Sequence, residues 1–151
     1  MEVVAHRSWR STPQMRLIAE IESEVRTWGL ERICADATGM GAPLIAMLRP
    51  AFGGRLEPVV FNAAVKSQMA YELIAAANTG RLSLYRDEGC LELEECLAEL
   101  RACRSEGRRR GELSWFAPAG KHDDFVASLL LCQRAAANAG PPRVAVGRQR
   151  D

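Results

Sequence analysis

The chain alternates short apolar runs with longer segments whose apolar residues recur every three or four positions. The clearest short run is the strand-like segment 32–36, which lies within the sequence ERICAD. A glycine turn at 38–41 separates it from a helix expected over 42–48. Alternation at period two favours strands, and recurrence near 3.6 favours helices. Strands alternating with helices predict an α/β fold with a partly parallel sheet.

The remaining segments continue this alternation. Further strands are expected at 2–5, 58–61, 81–85 and 112–116, and further helices at 13–28, 62–78, 91–103 and 122–138. Asn62 is the expected N-cap of the helix that follows it. The end of the chain, GPPRVAVGRQRD, has helix-breaking prolines and no pattern. We therefore expect one folded domain over 1–138 and a flexible tail over 139–151.

Composition restricts the class of protein. At 151 residues the chain is long enough for one domain with a real core. No apolar stretch reaches the roughly 18–20 residues of a membrane span, and the N-terminus lacks the apolar centre of a signal peptide. The five cysteines form no C-x-x-C pair. Their spacing favours reduced, mostly buried thiols in a cytoplasmic protein. Together with the absence of a long apolar stretch, it leads us to expect no membrane contact.

Asp36 is the first candidate for chemistry. In a strand, Ile33 and Ala35 would face one side, while Cys34 and Asp36 would face the other. Asp36 is the last strand residue before a glycine turn, and ligand sites in open α/β sheets lie beyond the carboxyl ends of strands. The structural alternative is an aspartate that caps the turn or the next helix.

Asp123 and Asp124 are the second candidate, because they lie where the last apolar helix is expected to begin. The helix dipole stabilises an anion there by about 0.3–1 kcal/mol, which explains one aspartate. It does not explain two adjacent acids beside His122 and Lys121. Carboxylates gathered with Asp36 would hold divalent cations against phosphate. His122 would ligate metal, orient a carboxylate or transfer protons, and the structural alternative is an elaborate N-cap.

A group of arginines precedes the last predicted strand. A basic loop bounded by glycines, with the helix before it, contains five of them: Arg101, Arg104, Arg108, Arg109 and Arg110. Such a loop can contact phosphates through charge alone. It can equally be a solvated helix end whose cations complement the helix dipole.

In order and spacing, these motifs resemble the nuclease domain of the large terminase subunit of tailed bacteriophages. The matching segments are ICADATGMGAPLIAML, VVFNAAVKSQMAYELIAAANTGRL and GKHDDFVASLLLC, preceded by the turn WRSTPQ. The resemblance extends from Val3 to about Asn138. It implies a ribonuclease H-like mixed sheet flanked by helices, and an enzyme that cuts concatemeric DNA during packaging.

The resemblance also implies cofactors, partners and residue roles. Two Mg²⁺ or Mn²⁺ ions would be held by three acidic positions, of which Asp36 matches the second and Asp123 with Asp124 the third. His122 completes the expected catalytic set. Partners would be double-stranded DNA, the terminase ATPase domain, the small terminase subunit and the portal. The expected DNA-binding residues are Lys66, Lys121, Arg104, Arg108, Arg109 and Arg110.

The first metal-binding aspartate of that family has no counterpart here. It lies on an initial strand before the D-A-T-G strand, and the acids that precede Asp36 are glutamates outside any such segment. The ATPase loop G-x-x-x-x-G-K-[ST] is missing too. We therefore expect a fold without its first strands: a truncated product, a prophage remnant or one piece of a longer chain. Metal binding would be weak, and DNA cleavage slow or absent.

Two alternatives remain open. One is a nucleotide-binding domain that uses DATGMG as a phosphate turn, although the third glycine of that motif is missing. The other is a non-catalytic module that docks on a packaging motor or binds DNA through the arginines.

Overall fold

The computed structural model describes residues 1–39, 41–108 and 111–139. Within these ranges, helices and short strands alternate as predicted up to α4, which two consecutive strands follow. The elements are β1 (Glu2–Val3), α1 (Gln14–Trp28), β2 (Ile33–Asp36), α2 (Gly41–Phe52), a 3₁₀ turn (Gly53–Arg55), β3 (Leu56–Val59), α3 (Ala63–Asn78), β4 (Ser83–Leu84), α4 (Leu91–Ala102), β5 (Arg104–Gly107), β6 (Leu113–Phe116) and α5 (Asp124–Ala137).

The strands pair two by two. β1 pairs with β4 and β2 with β3 in parallel, whereas β5 and β6 are antiparallel. The expected α/β class with mixed pairing is confirmed, although within the described residues the pairs remain three separate ladders. In the β2–β3 pair, Asp36 lies opposite Val59. Both strands therefore end at the same edge.

β2 separates two hydrophobic cores. Ile33 and Ala35 pack against the cluster that α1 and α2 form around Leu48. Cys34 packs on the other face, against the cluster that includes α3, α4, α5 and Trp115 of β6. The predicted alternation of β2 is therefore confirmed. By the same pleat, Asp36 belongs to the face that α5 covers.

Polar contacts determine the direction of α5. Arg134 donates from Nε to Glu57 of β3 at 2.6 Å, and Asn138 donates from Nδ2 to the same carboxylate at 3.2 Å. Arg32, just before β2, donates to the Asn138 carbonyl at 3.3 Å. The C-terminus of α5 thus lies at the beginning of β2 and β3. α5 also packs against β2, the strand that Asp36 ends.

Most helix boundaries agree with the sequence pattern. Asn62 caps α3 by accepting a hydrogen bond from Val65 N at 2.9 Å, as predicted. The helix expected over 42–48 is wrong at its end, since α2 continues through Pro50 to Phe52. Burial of Phe52 favours the extra turn, and Pro50 removes a backbone donor only near the helix end.

The basic segment before Gly111 contains a strand that the pattern did not predict. Arg104–Gly107 forms β5, and all four residues are exposed. It pairs with β6, and Arg108 N donates to the Glu112 carbonyl across the hairpin. The prediction of a loop was therefore wrong over 104–107, because backbone pairing stabilises a strand whose side chains show no apolar alternation.

A few apolar positions are more exposed than expected. Met15 and Cys132, assigned to buried helix faces, are both exposed. Of the other cysteines, Cys96 is buried and the remaining three are half-buried, all as free thiols. Among the described residues, no helix is long and apolar enough to cross a membrane. The tail predicted over 139–151 lies, from residue 140, outside the described residues.

Candidate metal and nucleic-acid site

Asp36 is exposed at the end of β2 and helps to form the turn that follows. Its Oδ1 accepts a hydrogen bond from Thr38 N at 2.7 Å. Thr38 Oγ1 in turn accepts from Phe61 N at 2.9 Å, which ties the turn to the end of β3. The capping role considered as the alternative is therefore present. This hydrogen bond uses only one of the roughly four acceptor positions that the two carboxylate oxygens offer.

Gly41 allows α2 to begin directly against Asp36. A Cβ atom built on Gly41 would lie 2.0 Å from the Asp36 carbonyl oxygen, a distance that no side chain can adopt. The glycine thus fixes how closely the helix approaches the end of β2. Because Asp36 already takes the Thr38 amide, this turn offers one backbone donor fewer to a phosphate. That feature disfavours the nucleotide-binding alternative.

Asp123 and Asp124 occupy two different positions at the start of α5. Asp124 is the first helical residue, and Asp123 is the N-cap, with φ −133° and ψ 23°. The prediction that the helix begins at His122 was wrong by two residues. Lys121 and His122 instead follow a turn that is closed by a hydrogen bond from Lys121 N to the Pro118 carbonyl at 2.9 Å. The Asp123 side chain makes no capping hydrogen bond.

Glu99 of α4 takes the capping role at α5. Its Oε2 accepts hydrogen bonds from Phe125 N at 2.7 Å and from Val126 N at 3.3 Å. The sequence pattern did not single out Glu99, because it is one of several glutamates in an acidic helix and its partner lies 26 residues away. No local signal identifies such a contact.

Asp36 ends β2, and Asp123 and Asp124 begin the helix that packs against the same strand. Arg134 lies ten residues after Asp124, about 15 Å of helix, whereas Asp36 lies two residues after Cys34, about 7 Å of strand. For a helix close to antiparallel with β2, the start of α5 therefore extends beyond Asp36. Within the described residues, no three His, Cys, Asp or Glu side chains are grouped to hold a metal ion.

The donor set fits a hard divalent cation in kind but not in number. Carboxylate oxygens are the ligands that Mg²⁺ and Mn²⁺ prefer, and both Asp36 and Asp124 are exposed to solvent. A site with three acidic positions needs one more acid than these two places supply. The arrangement thus fits part of a two-ion site.

Lys66 lies beside this edge, on the first turn of α3. Its Nζ is 4.7 Å from the centroid of the Trp115 ring and 5.6 Å from that of Phe61. Trp115 Nε1 also donates to the Lys66 carbonyl at 3.2 Å. Lys66 and Arg108 line one cavity of about 240 Å³ between α3 and the β5–β6 hairpin. The structure thus brings together two of the predicted DNA-binding cations, held in part by a tryptophan that the sequence pattern did not select.

The other predicted cations lie elsewhere. Lys121 and His122 line a different cavity of about 360 Å³ that also includes Arg10 and Glu99. Arg104 borders a third, mainly apolar cavity of about 180 Å³. Arg109 and Arg110 lie outside the described residues. The predicted DNA-binding residues that can be located therefore divide among three places.

Burial and charge act on Cys103, next to the end of α4. Burial raises the pKa of this thiol, and the carboxylates of Asp123 and Glu99 raise it further. Both carboxylates are thus close enough to act on the same sulfur. A thiol held protonated is a weak metal ligand and a weak nucleophile, which leaves the oxygen ligands as the relevant donors.

Comparison with known proteins identifies the fold. No family model and no curated protein matches the sequence. The large terminase nuclease from thermophilic phage G20c matches with 22% identity and a TM-score of 0.67, over 87% of this chain and 66% of that chain. Its magnesium-bound structure matches with 24% identity and a TM-score of 0.64, over 81% and 61%. The Thermus phage P74-26 large terminase nuclease domain gives 23% identity and a TM-score of 0.61, over 82% and 60%.

These matches confirm the expected fold. The chain has the ribonuclease H-like architecture of large terminase nuclease domains. It spans between 60% and 66% of the length of these three solved chains.

Proposed function

We propose that this chain, which has the fold of phage large-terminase nucleases, is a metal-dependent DNA endonuclease domain, or part of one, with residues 1–138 as its folded portion. One observation carries the proposal. The chain matches a terminase nuclease with bound magnesium over 81% of its length, and acids stand at the end of β2 and at the start of α5.

Asp36 and one of Asp123 or Asp124 would contribute ligands to Mg²⁺ or Mn²⁺. In a complete two-ion site, the ions supply an activated water and neutralise charge on the leaving 3′ oxygen. The chain's own groups provide orientation. Thr38 N holds one oxygen of Asp36. Lys66 and Arg108 would contact the phosphates of double-stranded DNA, and His122, before α5, is available to orient a carboxylate or transfer a proton.

We further propose that the chain alone binds the ion weakly and cuts DNA slowly or not at all. Asp36 and the Asp123–Asp124 pair supply two of the three acidic positions that the two-ion arrangement uses. Mg²⁺ keeps several waters and dehydrates reluctantly, so that losing one carboxylate weakens an already hydrated site. The terminase ATPase domain, the small terminase subunit and the portal are the partners proposed for the assembled motor.

Metal binding and cleavage test this function together. Mn²⁺ titrations and plasmid cleavage would compare the wild type with Asp36→Asn and with the double variant Asp123→Asn/Asp124→Asn. Asp87→Asn, at an exposed acid in a loop, is the matched control. We expect weak Mn²⁺ binding that both site variants lose and the control retains, with cleavage slow or undetectable. Mn²⁺ binding that persists in both site variants would contradict the proposal.

The cavity between α3 and the hairpin supports a second candidate, a non-catalytic DNA-binding module. Lys66 and Arg108 meet there, next to the indole of Trp115. This function predicts salt-sensitive binding to DNA that Asp36→Asn leaves unchanged and Lys66→Met weakens. Cleavage that depends on Asp36 would reject it.

A further inference from the structure

We infer that Glu99 is a positioning residue, which caps α5 in place of Asp123 and thereby leaves the Asp123 carboxylate available to the candidate metal site. The inference rests on the proposed function and deepens it. Glu99 itself would touch neither metal nor DNA. It would act through the side chain it replaces at the helix end.

The start of α5 has an arrangement that its sequence alone does not favour. The first amides of a helix lack partners within the helix, and an aspartate at the N-cap normally accepts hydrogen bonds from the second or third of them. Asp123 occupies this position and makes no such bond. The amides of Phe125 and Val126 donate to Glu99 instead, at 2.7 and 3.3 Å.

This exchange of partners has a chemical consequence. A carboxylate that accepts two amide hydrogen bonds has fewer lone pairs for a cation. Glu99 reaches the helix end from α4, where it is half-buried, and it also gains from the positive end of the helix dipole. Asp123 thereby does not have to accept the hydrogen bonds of these two amides. Asp123 occupies the N-cap without making a capping hydrogen bond, so the first amides of α5 do not take its acceptor positions.

When Glu99 is removed, we therefore expect Asp123 to replace it as the cap of α5. In Glu99→Ala, Asp123 can turn into the vacated position, since aspartate is among the preferred N-cap residues. The helix would remain capped while a proposed metal ligand is withdrawn. Glu99→Gln keeps an oxygen acceptor for the two amides, so Asp123 should stay free. If Glu99 only stabilised the fold, Glu99→Ala would not weaken metal binding while α5 stays capped, and Glu99→Gln would not differ from it in this respect.

Two measurements on the full chain test this. Amide hydrogen exchange at Phe125 and Val126 reports the cap, and Mn²⁺ titration followed by paramagnetic broadening of α5 amides reports the metal. We expect Glu99→Ala to keep most of the amide protection but weaken Mn²⁺ binding at least tenfold, the lower end for supporting residues around metal ligands. Glu99→Gln should stay within about twofold of the wild type. Adding Asp123→Ala to Glu99→Ala should remove the remaining protection.

Glu94→Ala is the matched control, because Glu94 is an exposed acid of α4 outside the cavity that Glu99 and Phe125 line. It should change neither measurement. Unchanged Mn²⁺ binding in Glu99→Ala would overturn the inference, as would protection in that variant that Asp123→Ala does not reduce. A wild-type chain that binds no Mn²⁺ would reject the proposed function. The exchange data would still decide whether Asp123 replaces Glu99 as the cap.

Discussion

Glu57 of β3 and Arg134 of α5 form a 2.6 Å ion pair, although the two residues lie 77 positions apart in the sequence. The guanidinium of Arg134 holds the pKa of Glu57 below its usual value, and the Asn138 amide adds a further hydrogen bond. This pair, with Arg32, holds the C-terminal end of α5 at the beginning of β2 and β3. The position of Asp124 relative to Asp36 therefore depends on contacts at the opposite end of the helix.

Glu57→Ala should lower the free energy of unfolding by about 1.5–3 kcal/mol, the range for hydrogen bonds to charged groups. The variant leaves Arg134 without its partner at a position where its side chain is only 35% exposed. Urea denaturation measures the change. Glu20→Ala, which removes an exposed ion pair with Arg16, should cost less than about 0.5 kcal/mol. Equal costs for the two variants would mean that the Glu57 pair does not anchor α5.

A pH-dependent contribution to stability should come from His6. Its ring packs against those of Tyr85 and Phe125, with centroids at 5.5 Å in both cases, and Nδ1 lies 3.3 Å from the Tyr85 hydroxyl. Burial lowers the pKa of His6, and the nearby Glu92 opposes this in part. The unfolded chain therefore takes up the proton first as the pH falls.

It follows that this stabilisation is present above pH 6.5, the ordinary pKa of histidine, and is lost as the pH falls through the lower pKa of His6 in the folded chain. Urea midpoints at pH 7.5 and pH 5.5 should differ less in His6→Phe than in the wild type. His122→Gln, which changes the exposed ring before α5, is the control and should keep the wild-type difference. A wild-type difference that survives in His6→Phe would assign it to groups other than His6.

The side-chain pattern predicted the parts of this fold that rest on local chemistry. The two faces of β2, the Asn62 cap and, apart from Cys132, the buried face of α5 each follow from residues within one element. β5 could not be predicted in this way, since its exposed side chains carry no alternation and its partner strand supplies the stabilising hydrogen bonds. The continuation of α2 through Pro50 likewise depends on burial against other elements.

In the candidate site, too, the residues with a local sequence signal could be predicted, and those that depend on contacts between elements could not. Asp36 and Asp124 could be selected from sequence because acids at the end of a strand and the start of a helix have a recognisable position. Glu99 could not, because the amides it caps belong to another helix. The placement of α5 against β2 was equally hidden, since it depends on where Arg134 and Asn138 attach the far end of the helix to Glu57.

Gly41→Ala should destabilise the chain and displace Asp36. The new Cβ would meet the Asp36 carbonyl oxygen at 2.0 Å, and this backbone atom cannot move aside as a side chain can. Overpacking of this kind costs about 1–3 kcal/mol or more. The matched control is Gly54→Ala, where a Cβ would meet nothing within 4 Å. Thermal unfolding should show a clear loss for Gly41→Ala and little change for Gly54→Ala, and similar behaviour of the two would argue against the close approach of α2.

Lys66→Met should weaken binding to double-stranded DNA while leaving the fold intact. The ammonium lies over the rings of Trp115 and Phe61, so its removal costs the chain about 0.5–1 kcal/mol of cation–π stabilisation. The larger effect is on DNA, because each phosphate that the protein no longer neutralises reduces the slope of log K against log salt by about 0.9.

Filter binding or anisotropy between 50 and 200 mM salt measures both the affinity and the slope for Lys66→Met. Arg49→Met is the control, since Arg49 is an exposed cation on α2 outside the cavity that Lys66 and Arg108 share. A reduced slope in Lys66→Met with an unchanged slope in Arg49→Met would place a phosphate beside Trp115. Equal reductions in both would mean that DNA responds to the overall charge, and the cavity between α3 and the hairpin would then have no specific role in binding.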